Sequence, residues 1–267
     1  MYQNLTEMVL ADSCFNLTHT SFHKDLNIIF KRAEENGVNY YFAPSSRELE
    51  IDTLVKYSEE IKNLYIGVGI HPHYASELKP NTSGRLLEVS KHQNVKAIGE
   101  IGLDYFRNFQ SPEIQKKCFE AHLEVAVDSK LPVFLHNRES FHDFYPILKK
   151  YIQKIPQSIV HCFTGNEDEL RSFLDLDLYI GITGWVCDPK RGADLRKIVN
   201  IIPNDRLIIE TDAPYLIPKN LEPKPSSNRN EPMYLKNILS ELAEIKQQSA
   251  ELLANSTTKN FKKLFNC

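Results

Sequence analysis

The chain has 267 residues, which is too long for a small disulfide or zinc scaffold and suits one large domain or two modest ones. Hydrophobic residues make up 42% and charged residues 25%, as in globular proteins, so disorder is excluded as the main state. The formal net charge of −3 excludes a protein that wraps nucleic acid with a basic surface. We therefore expect any phosphate ligand to bind at one local site.

The sequence is not expected to carry a targeting signal. No apolar run approaches the ~18 residues of a membrane span, and the first cationic side chain, Lys24, comes too late for a signal peptide. The five scattered cysteines contain no C-x-x-C pair, which favours reduced thiols. These features predict a cytoplasmic protein without a membrane partner. No heptad or edge-strand signal indicates self-association, so we expect a monomer.

Short apolar runs rich in β-branched and aromatic residues recur along the chain, with amphipathic patterns between them. Eight such alternations predict parallel strands with helical crossovers. They fit an α/β fold of the (β/α)8 TIM-barrel type better than an open doubly wound sheet, which remains the alternative. We predict one barrel domain over residues 1–267. In chain order the runs are MVLADSCF, VNYYFA, LYIGVGI, VKAIGE, PVFLH, SIVHCF, LYIGITG and RLIIET.

The segments between these runs show the period of helices. Helices are predicted over 112–129 and 166–176, and two more over about 231–246 and 248–265 at the end of the chain. The apolar stripe expected on the first of these helices consists of Ile114, Cys118, Ala121 and Val125.

Residues able to bind a metal follow several predicted strands at their carboxyl ends, the face at which (β/α)8 enzymes carry their active sites. A lone histidine there is more often a core or turn residue, and a lone acid can cap a helix. Four such residues at four strand ends nevertheless favour a site. The residues are Asn16 and Thr18 after strand one, His71 and His73 after strand three, Glu100 after strand four, His136 after strand five, His161 after strand six and Asp212 after strand eight.

A mixed set of oxygen and nitrogen ligands suits a divalent cation, because carboxylates bind Mg²⁺ and neutral imidazole binds first-row ions. Such an ion lowers the pKa of water and polarises a phosphoryl or carbonyl oxygen. The residues therefore predict metal-assisted hydrolysis. Glu210, two positions before Asp212, has the same strand parity and is expected to point into the barrel, either behind the ligands or in an ion pair.

Further polar and aromatic residues lie beside this predicted site. His71 and His73 would either contact substrate or support their loop. Trp185, the single tryptophan, would stack on a base or pack under a loop. Arginine forks bind phosphate oxygens in pairs, although solvation at the surface is the alternative for each. The candidate arginines are Arg107, Arg138, Arg191 and Arg229.

Seven strings resemble, in order, the TatD family of metal-dependent deoxyribonucleases: GIHPH, AIGEIGLDYFRN, PVFLHNR, HCFTG, GITGWVCD, LIIETDAPYL and RNEP. The resemblance implies an amidohydrolase-like barrel with a divalent metal at its carboxyl face. It also implies a 3′-to-5′ exonuclease that hydrolyses phosphodiester bonds in single-stranded DNA or RNA and serves DNA repair. The implied cofactor is Mg²⁺, with Mn²⁺ or Zn²⁺ as alternatives.

The resemblance also assigns residue roles. Glu100 and Asp212 are the expected catalytic groups, with Asp212 taking a proton from the attacking water. Many family members begin with an H-x-H pair of ligands, which we match to Asn16 and Thr18 here. The implied metal ligands are Glu100, His136, His161 and Asp212, and the expected substrate contacts are His71, His73, Arg138 and Arg229.

Two other functions remain open on these residues. The same ligands would serve a metal-dependent amidohydrolase or lactonase that acts on a small molecule. Because the first-strand histidines are missing, the barrel could instead bind nucleic acid without cleaving it. The net charge of −3 weighs against this second alternative, since tight binding without turnover calls for more cations.

Overall fold

The computed structural model describes residues 8–267. Its eight strands form one sheet in which each strand pairs in parallel with its neighbours along the chain, as the alternation predicted. The strands are β1 (Leu10–Asp12), β2 (Val38–Pro44), β3 (Leu64–Val68), β4 (Val95–Asp104), β5 (Val133–Arg138), β6 (Ile159–Val160), β7 (Tyr179–Ile182) and β8 (Leu207–Ile209).

An α-helix follows every strand, and one more ends the chain, so the predicted alternation is confirmed. Across residues 8–267 none of the helices has the length and apolar character needed to cross a membrane. The helices are α1 (Leu26–Glu35), α2 (Ile51–Glu60), α3 (Thr82–Val89), α4 (Pro112–Ser129), α5 (Phe141–Tyr151), α6 (Glu167–Asp175), α7 (Ala193–Ile198), α8 (Leu235–Lys246) and α9 (Ala250–Phe265).

The seam between the first and last strands is closed by segments just beyond their ends. Phe15 and Ala213 form a parallel bridge, and the N–H of Asp212 donates to the carbonyl of Cys14 at 2.9 Å. These contacts favour the closed barrel over the open sheet. They also hold the segment after β8 against the segment after β1, which brings polar residues of both segments to the same end of the barrel.

The barrel interior is filled by apolar side chains from the strands and from α9. Phe265 stacks on Phe42 with ring centroids 4.1 Å apart, and Phe42 lies 4.9 Å from Phe134. The Phe134 ring in turn lies 4.8 Å from the imidazole of His161. This aromatic column excludes water beneath His161, and it supports the polar end of the barrel on a rigid apolar base.

Two details differ from the sequence predictions. Strand β4 continues to Asp104, so Glu100 lies inside the strand rather than at its end. On α4, Ile114 is 41% exposed, whereas the polar Gln115 and His122 are buried. The apolar stripe predicted from the sequence does not include these two polar residues. They can be buried because both side chains form hydrogen bonds with buried backbone groups, which offsets the cost of their burial.

His122 of α4 supports the segment that follows β3. Its Nε2 accepts the N–H of Ile70 at 3.1 Å, and its Nδ1 donates to the carbonyl of Cys118 at 2.7 Å. Burial lowers the pKa of His122 to about 4. Because Nε2 must be unprotonated to accept from Ile70, the folded chain keeps this ring neutral.

We expect the free energy of unfolding to fall as the pH drops from 6.5 toward 4. In that window His122 takes up a proton in the unfolded chain and not in the folded one, a difference of at most about 3 kcal/mol. His122→Gln lacks this loss, so its stability deficit relative to wild type should shrink from pH 7 to about pH 4.5 in urea titrations. A deficit that stays constant with pH would contradict the assignment.

Candidate active site

A cleft of about 750 Å³ opens at the carboxyl ends of the strands. Residues that are more than a hundred positions apart in the sequence meet here, as the barrel prediction required. All four predicted ligands and most of the predicted substrate contacts line this cleft. These residues are Glu100, His136, His161, Asp212, His71, His73 and Arg138.

The Glu100 carboxylate lies at the centre of three imidazoles. Its Oε1 is 2.7 Å from Nε2 of His161, 2.9 Å from Nδ1 of His136 and 3.3 Å from Nε2 of His71. Burial by itself would raise the pKa of Glu100. The neighbouring histidines, His161 foremost, outweigh burial and hold this pKa well below its usual range. Glu100 is therefore an anion facing three rings.

Glycine at position 102 allows this geometry. Its φ is +145°, and a Cβ there would overlap the carbonyl oxygen of His136. Strand β4 can therefore approach β5 closely on the side where Glu100 and His136 meet. Any other residue at this position would force the two strands apart.

Two of the three imidazoles have a second carboxylate behind them. Nε2 of His136 lies 3.0 Å from Oδ2 of Asp104, and Nδ1 of His161 faces Oε1 of Glu210 at 3.6 Å. In each ring one nitrogen faces an outer acid, while the other faces the cleft beside Glu100. Histidines that bind metals show this pattern, because the outer acid sets the tautomer and makes the inner nitrogen a better ligand.

The donor set fits a divalent cation. Ligand atoms of His71, Glu100 and His136 lie within 4.8 Å of one another. Burial alone would lower the pKa of His136 and of His161, yet neighbouring carboxylates raise both. Asp104 and Glu100 raise the pKa of His136, and Glu100 and Glu210 raise that of His161. The electrostatic field that attracts protons to these rings also attracts a divalent cation, which competes with protons for the same nitrogen atoms.

Asp212 lies on the opposite side of the cleft beside the segment after β1. Its Oδ1 accepts from Nδ2 of Asn16 at 2.9 Å and from Sγ of Cys14 at 3.5 Å. Burial raises the pKa of Asp212 to about 6. A carboxylate with this pKa is ionised at neutral pH and can still accept a proton.

The two first-strand positions, Asn16 and Thr18, differ from each other in the structure. Cys14 and Asn16 contact Asp212, whereas Thr18 does not line the cleft. The chain turns at Leu17 and Thr18, and this turn carries the Thr18 side chain away from the barrel mouth. The match of the H-x-H pair to Asn16 and Thr18 stays a prediction, and the two residues after β1 whose side chains contact Asp212 are a thiol and an amide, Cys14 and Asn16.

Comparison with known proteins agrees with this geometry. The family model described as TatD related DNase matches residues 11–266. The chain belongs to the TatD family. Among curated relatives, the 3'-5' ssDNA/RNA exonuclease TatD of Escherichia fergusonii is 41% identical over 256 residues, 96% of this chain and 98% of that protein. The chain is accordingly a nuclease, a metal-dependent hydrolase that acts on phosphodiester bonds.

Solved structures of TatD proteins share the same barrel. A TatD homologue from Escherichia coli K12 superposes with a TM-score of 0.88 at 25% identity, over 97% of this chain and 98% of that one. A TatD-family hydrolase from Entamoeba histolytica superposes with a TM-score of 0.86 at 26% identity, again over 97% and 98% of the two chains. The predicted fold and the resemblance to this family are both confirmed.

Asp104 is a residue of the TatD barrel that the sequence interpretation missed. Its Oδ2 contacts both Nε2 of His136 and Nε2 of His73, at 3.0 and 2.9 Å, and its Oδ1 accepts the N–H of Arg107 at 2.8 Å. Burial would raise its pKa, but the hydrogen bonds to the two histidines lower it. The available signal was its spacing, since Asp104 lies four residues after Glu100 on the same strand face.

His71 and His73 both line the cleft and both hold their loop. Nδ1 of His71 accepts the N–H of His73 at 3.1 Å, which leaves its Nε2 protonated and facing Glu100. Burial lowers the pKa of His71 to about 4, so the ring is neutral. The structure therefore supports a loop-holding role, and substrate contact stays a prediction.

Glu210 points into the barrel, as its strand parity predicted. The side chain is fully buried, and its Oε1 accepts the N–H of Cys162. Oε2 of Glu210 and Nδ1 of His161 have no hydrogen-bond partner among the described residues. Glycine at position 181 provides the space, because a Cβ there would overlap the Glu210 carboxylate.

Arg229, which was predicted to bind phosphate, is not among the residues that line the cleft. Its guanidinium contacts both carboxylate oxygens of Asp25, at 2.9 and 2.7 Å, and Oε1 of Glu231 at 2.7 Å. It also donates to the carbonyl of Ser21 at 2.7 Å. A guanidinium with its donors committed in this way ties the loop after β8 to the start of α1 and has little capacity left for a ligand.

We expect the two arginines Arg229 and Arg138 to respond differently to replacement by glutamine. Arg229→Gln breaks a partly buried ion-pair network, and a loss of about 1–2 kcal/mol lowers the melting temperature by roughly 2–8 °C in a chain of this size. Arg138→Gln should instead raise KM for an oligonucleotide and leave the melting temperature within about 2 °C of wild type. Thermal melts and steady-state kinetics on both variants distinguish the roles, and an Arg229→Gln enzyme with raised KM and normal stability would overturn them.

Asp104→Asn should weaken Mn²⁺ binding by about 10–100-fold, because a neutral amide behind His136 makes the imidazole a poorer ligand. Titration calorimetry with Mn²⁺ measures this affinity directly. The matched control is Asp143→Asn, which removes the charge of an acid that accepts from the Tyr105 hydroxyl at 2.8 Å outside the cleft. Equal Mn²⁺ affinities for the two variants would contradict a role for Asp104 at the metal.

Proposed function

We propose that this TatD-family nuclease is a 3′-to-5′ exonuclease on single-stranded DNA or RNA, that it uses Mg²⁺, and that it serves DNA repair. The observation that carries the proposal is the cluster of three imidazoles around Glu100, which opens into the cleft beside Asp212. The exonuclease name of the Escherichia fergusonii relative supports the direction and the substrate. Repair rests on the resemblance to the family, and Mn²⁺ or Zn²⁺ are the alternative ions.

In this proposal Glu100, His136, His161 and Asp212 hold the ion. When bound, it supplies positive charge that stabilises the phosphate oxygens in the transition state and lowers the pKa of a nearby water. Asp104 orients the His136 imidazole through a hydrogen bond, and the Glu210 carboxylate lies 3.6 Å behind the His161 imidazole. This arrangement uses every carboxylate that contacts the cluster of histidines.

In the proposed reaction Asp212 takes the proton of the attacking water. Asn16 occupies one carboxylate oxygen of Asp212, which leaves the other oxygen for the attacking water. With a pKa of about 6, Asp212 accepts the proton of that water at neutral pH. Arg138, whose guanidinium lines the cleft, binds the phosphate that is being cleaved.

The remaining expectations about the chain belong to the same proposal. One domain is sufficient, because strands from both halves of the chain supply the cleft. All five cysteines are free, which suits a reducing compartment such as the cytoplasm. A monomer without a membrane partner would carry the complete site.

The proposed function is tested with oligonucleotides labelled at either end and incubated with Mg²⁺, Mn²⁺ or EDTA. We expect wild type to shorten single strands from the 3′ end only when the ion is present. Glu100→Gln should lower the rate by at least about a hundredfold, because it removes the anion that the three histidines face. Glu167→Gln, on the exposed face of α6, is the matched control and should behave as wild type.

Other outcomes would replace the proposal. Products that shorten from the 5′ end would overturn the direction of cleavage. Activity of Glu100→Gln at the wild-type rate in EDTA would overturn the metal mechanism. Binding without cleavage would indicate the non-catalytic barrel, and neither binding nor cleavage would indicate a small-molecule amidohydrolase or lactonase.

A further inference from the structure

The arginines of this chain divide into two groups according to their partners. Seven of them have a carboxylate oxygen within 4.0 Å: Arg32, Arg47, Arg85, Arg171, Arg196, Arg206 and Arg229. Within the described residues, the guanidinium groups of Arg107, Arg138 and Arg191 have no such partner, and all three line the cleft. The cleft therefore collects the arginines whose charge remains available to a ligand.

Two of these arginines alternate with aromatic rings in one row. Arg138, Trp185 and Arg191 line the cleft, and Phe106 lies against Arg138. The guanidinium carbon of Arg138 lies 4.1 Å from the ring centroid of Phe106 and 6.0 Å from the Trp185 ring. The guanidinium carbon of Arg191 lies 5.6 Å from the Trp185 ring. We call this row, Phe106, Arg138, Trp185 and Arg191, the stacking wall.

Hydrogen bonds from backbone N–H groups to two aspartate side chains hold the stacking wall in place. Oδ1 of Asp188 accepts the N–H groups of Lys190 and Arg191, both at 2.9 Å, and this turn brings Arg191 back onto Trp185. On the other side, Asp104 accepts the N–H of Arg107, the residue after Phe106. The loop that carries Phe106 is thus anchored to the same carboxylate that contacts the histidines of the cleft.

The wall starts beside the proposed ion site. Arg138 follows His136 by two residues on β5, so both side chains project from the same face of the strand. Phe106 is 49% exposed, and Trp185 is partly buried against the core. A large apolar ring that is half exposed beside an arginine of the cleft is costly to solvate, and a planar ligand would cover it.

We propose that the stacking wall binds the unpaired nucleotides next to the scissile phosphate, with bases on Phe106 and Trp185 and phosphates on Arg138 and Arg191. The proposal rests on the proposed nuclease function and deepens it. Every base has a π face, so stacking is tolerant of sequence, but a base can reach a protein ring only when it is unpaired. The wall would thereby select single strands without reading their bases.

The decisive experiment is a cycle between enzyme rings and substrate bases. The substrates are two single-stranded oligomers with Mg²⁺, one intact and one with abasic residues just inside an intact 3′ nucleotide. Wild type should lose about tenfold or more in kcat/KM for each base removed. Trp185→Leu and Phe106→Leu should each lose one such factor on the intact oligomer, and the abasic oligomer should then cost each variant about one factor less than it costs wild type.

Two further variants separate stacking from general damage. Trp185→Phe keeps an aromatic ring and should restore most of the preference for the intact oligomer. Tyr145→Leu is the matched control, since its ring also has a cation beside it, Lys149 at 5.7 Å, but lies on α5 outside the cleft. Thermal melts of all variants show whether the barrel is folded.

The proposal of a stacking wall is overturned if the abasic residues lower kcat/KM by the same factor in Trp185→Leu and Phe106→Leu as in wild type. It is also overturned if Trp185→Phe is as impaired as Trp185→Leu. Failure of the nuclease function has a different signature, namely no ion-dependent product from any oligomer. In that case oligomer binding, measured by fluorescence, tests the stacking wall. Trp185 is the only tryptophan of the chain, so its fluorescence reports stacking directly. Quenching by the intact oligomer alone supports the wall, and equal quenching by both oligomers overturns it.

Discussion

The active site depends on one buried anion. Glu100 is 4% exposed and has three imidazoles within 3.3 Å of one oxygen, so its charge is balanced by rings that can carry protons or coordinate a cation. Because an unpaired carboxylate would be expensive at this depth, the surrounding rings and strands must stay in register with it. The close approach of β4 to β5 at Gly102 and the aromatic column below His161 both serve that requirement.

Charge in this barrel is arranged locally rather than over the whole surface. Outer acids, Asp104 and Glu210, lie behind the histidines, while the three arginines that have no carboxylate partner among residues 8–267 line the cleft. A net charge of −3 is therefore compatible with a nucleic-acid substrate. Tight binding over the whole surface would slow product release, whereas a few cations at one mouth can attract phosphate where the reaction takes place.

Strand periodicity and strand ends allowed much of the site to be predicted from the sequence. Glu100, His136 and His161 follow or lie within parallel strands, and parallel strands of a barrel converge at one face whatever the sequence distance between them. Asp104 was missed, and Thr18 does not line the cleft, for a local reason. Where β4 ends, and where the chain turns after β1, depend on pairing with neighbouring strands, which a single run of residues does not reveal.

The amino-acid sequence by itself determined the eight strand–helix units and the family, because hydrophobic period and ordered motifs are properties of the chain alone. Only the tertiary structure decided which polar groups meet. It committed Arg229 to Asp25 and Glu231, and it left Arg138 free beside Phe106. An arginine has the same chemistry at any position in a sequence, so its role depends on which carboxylates and rings folding brings within a few ångströms of it.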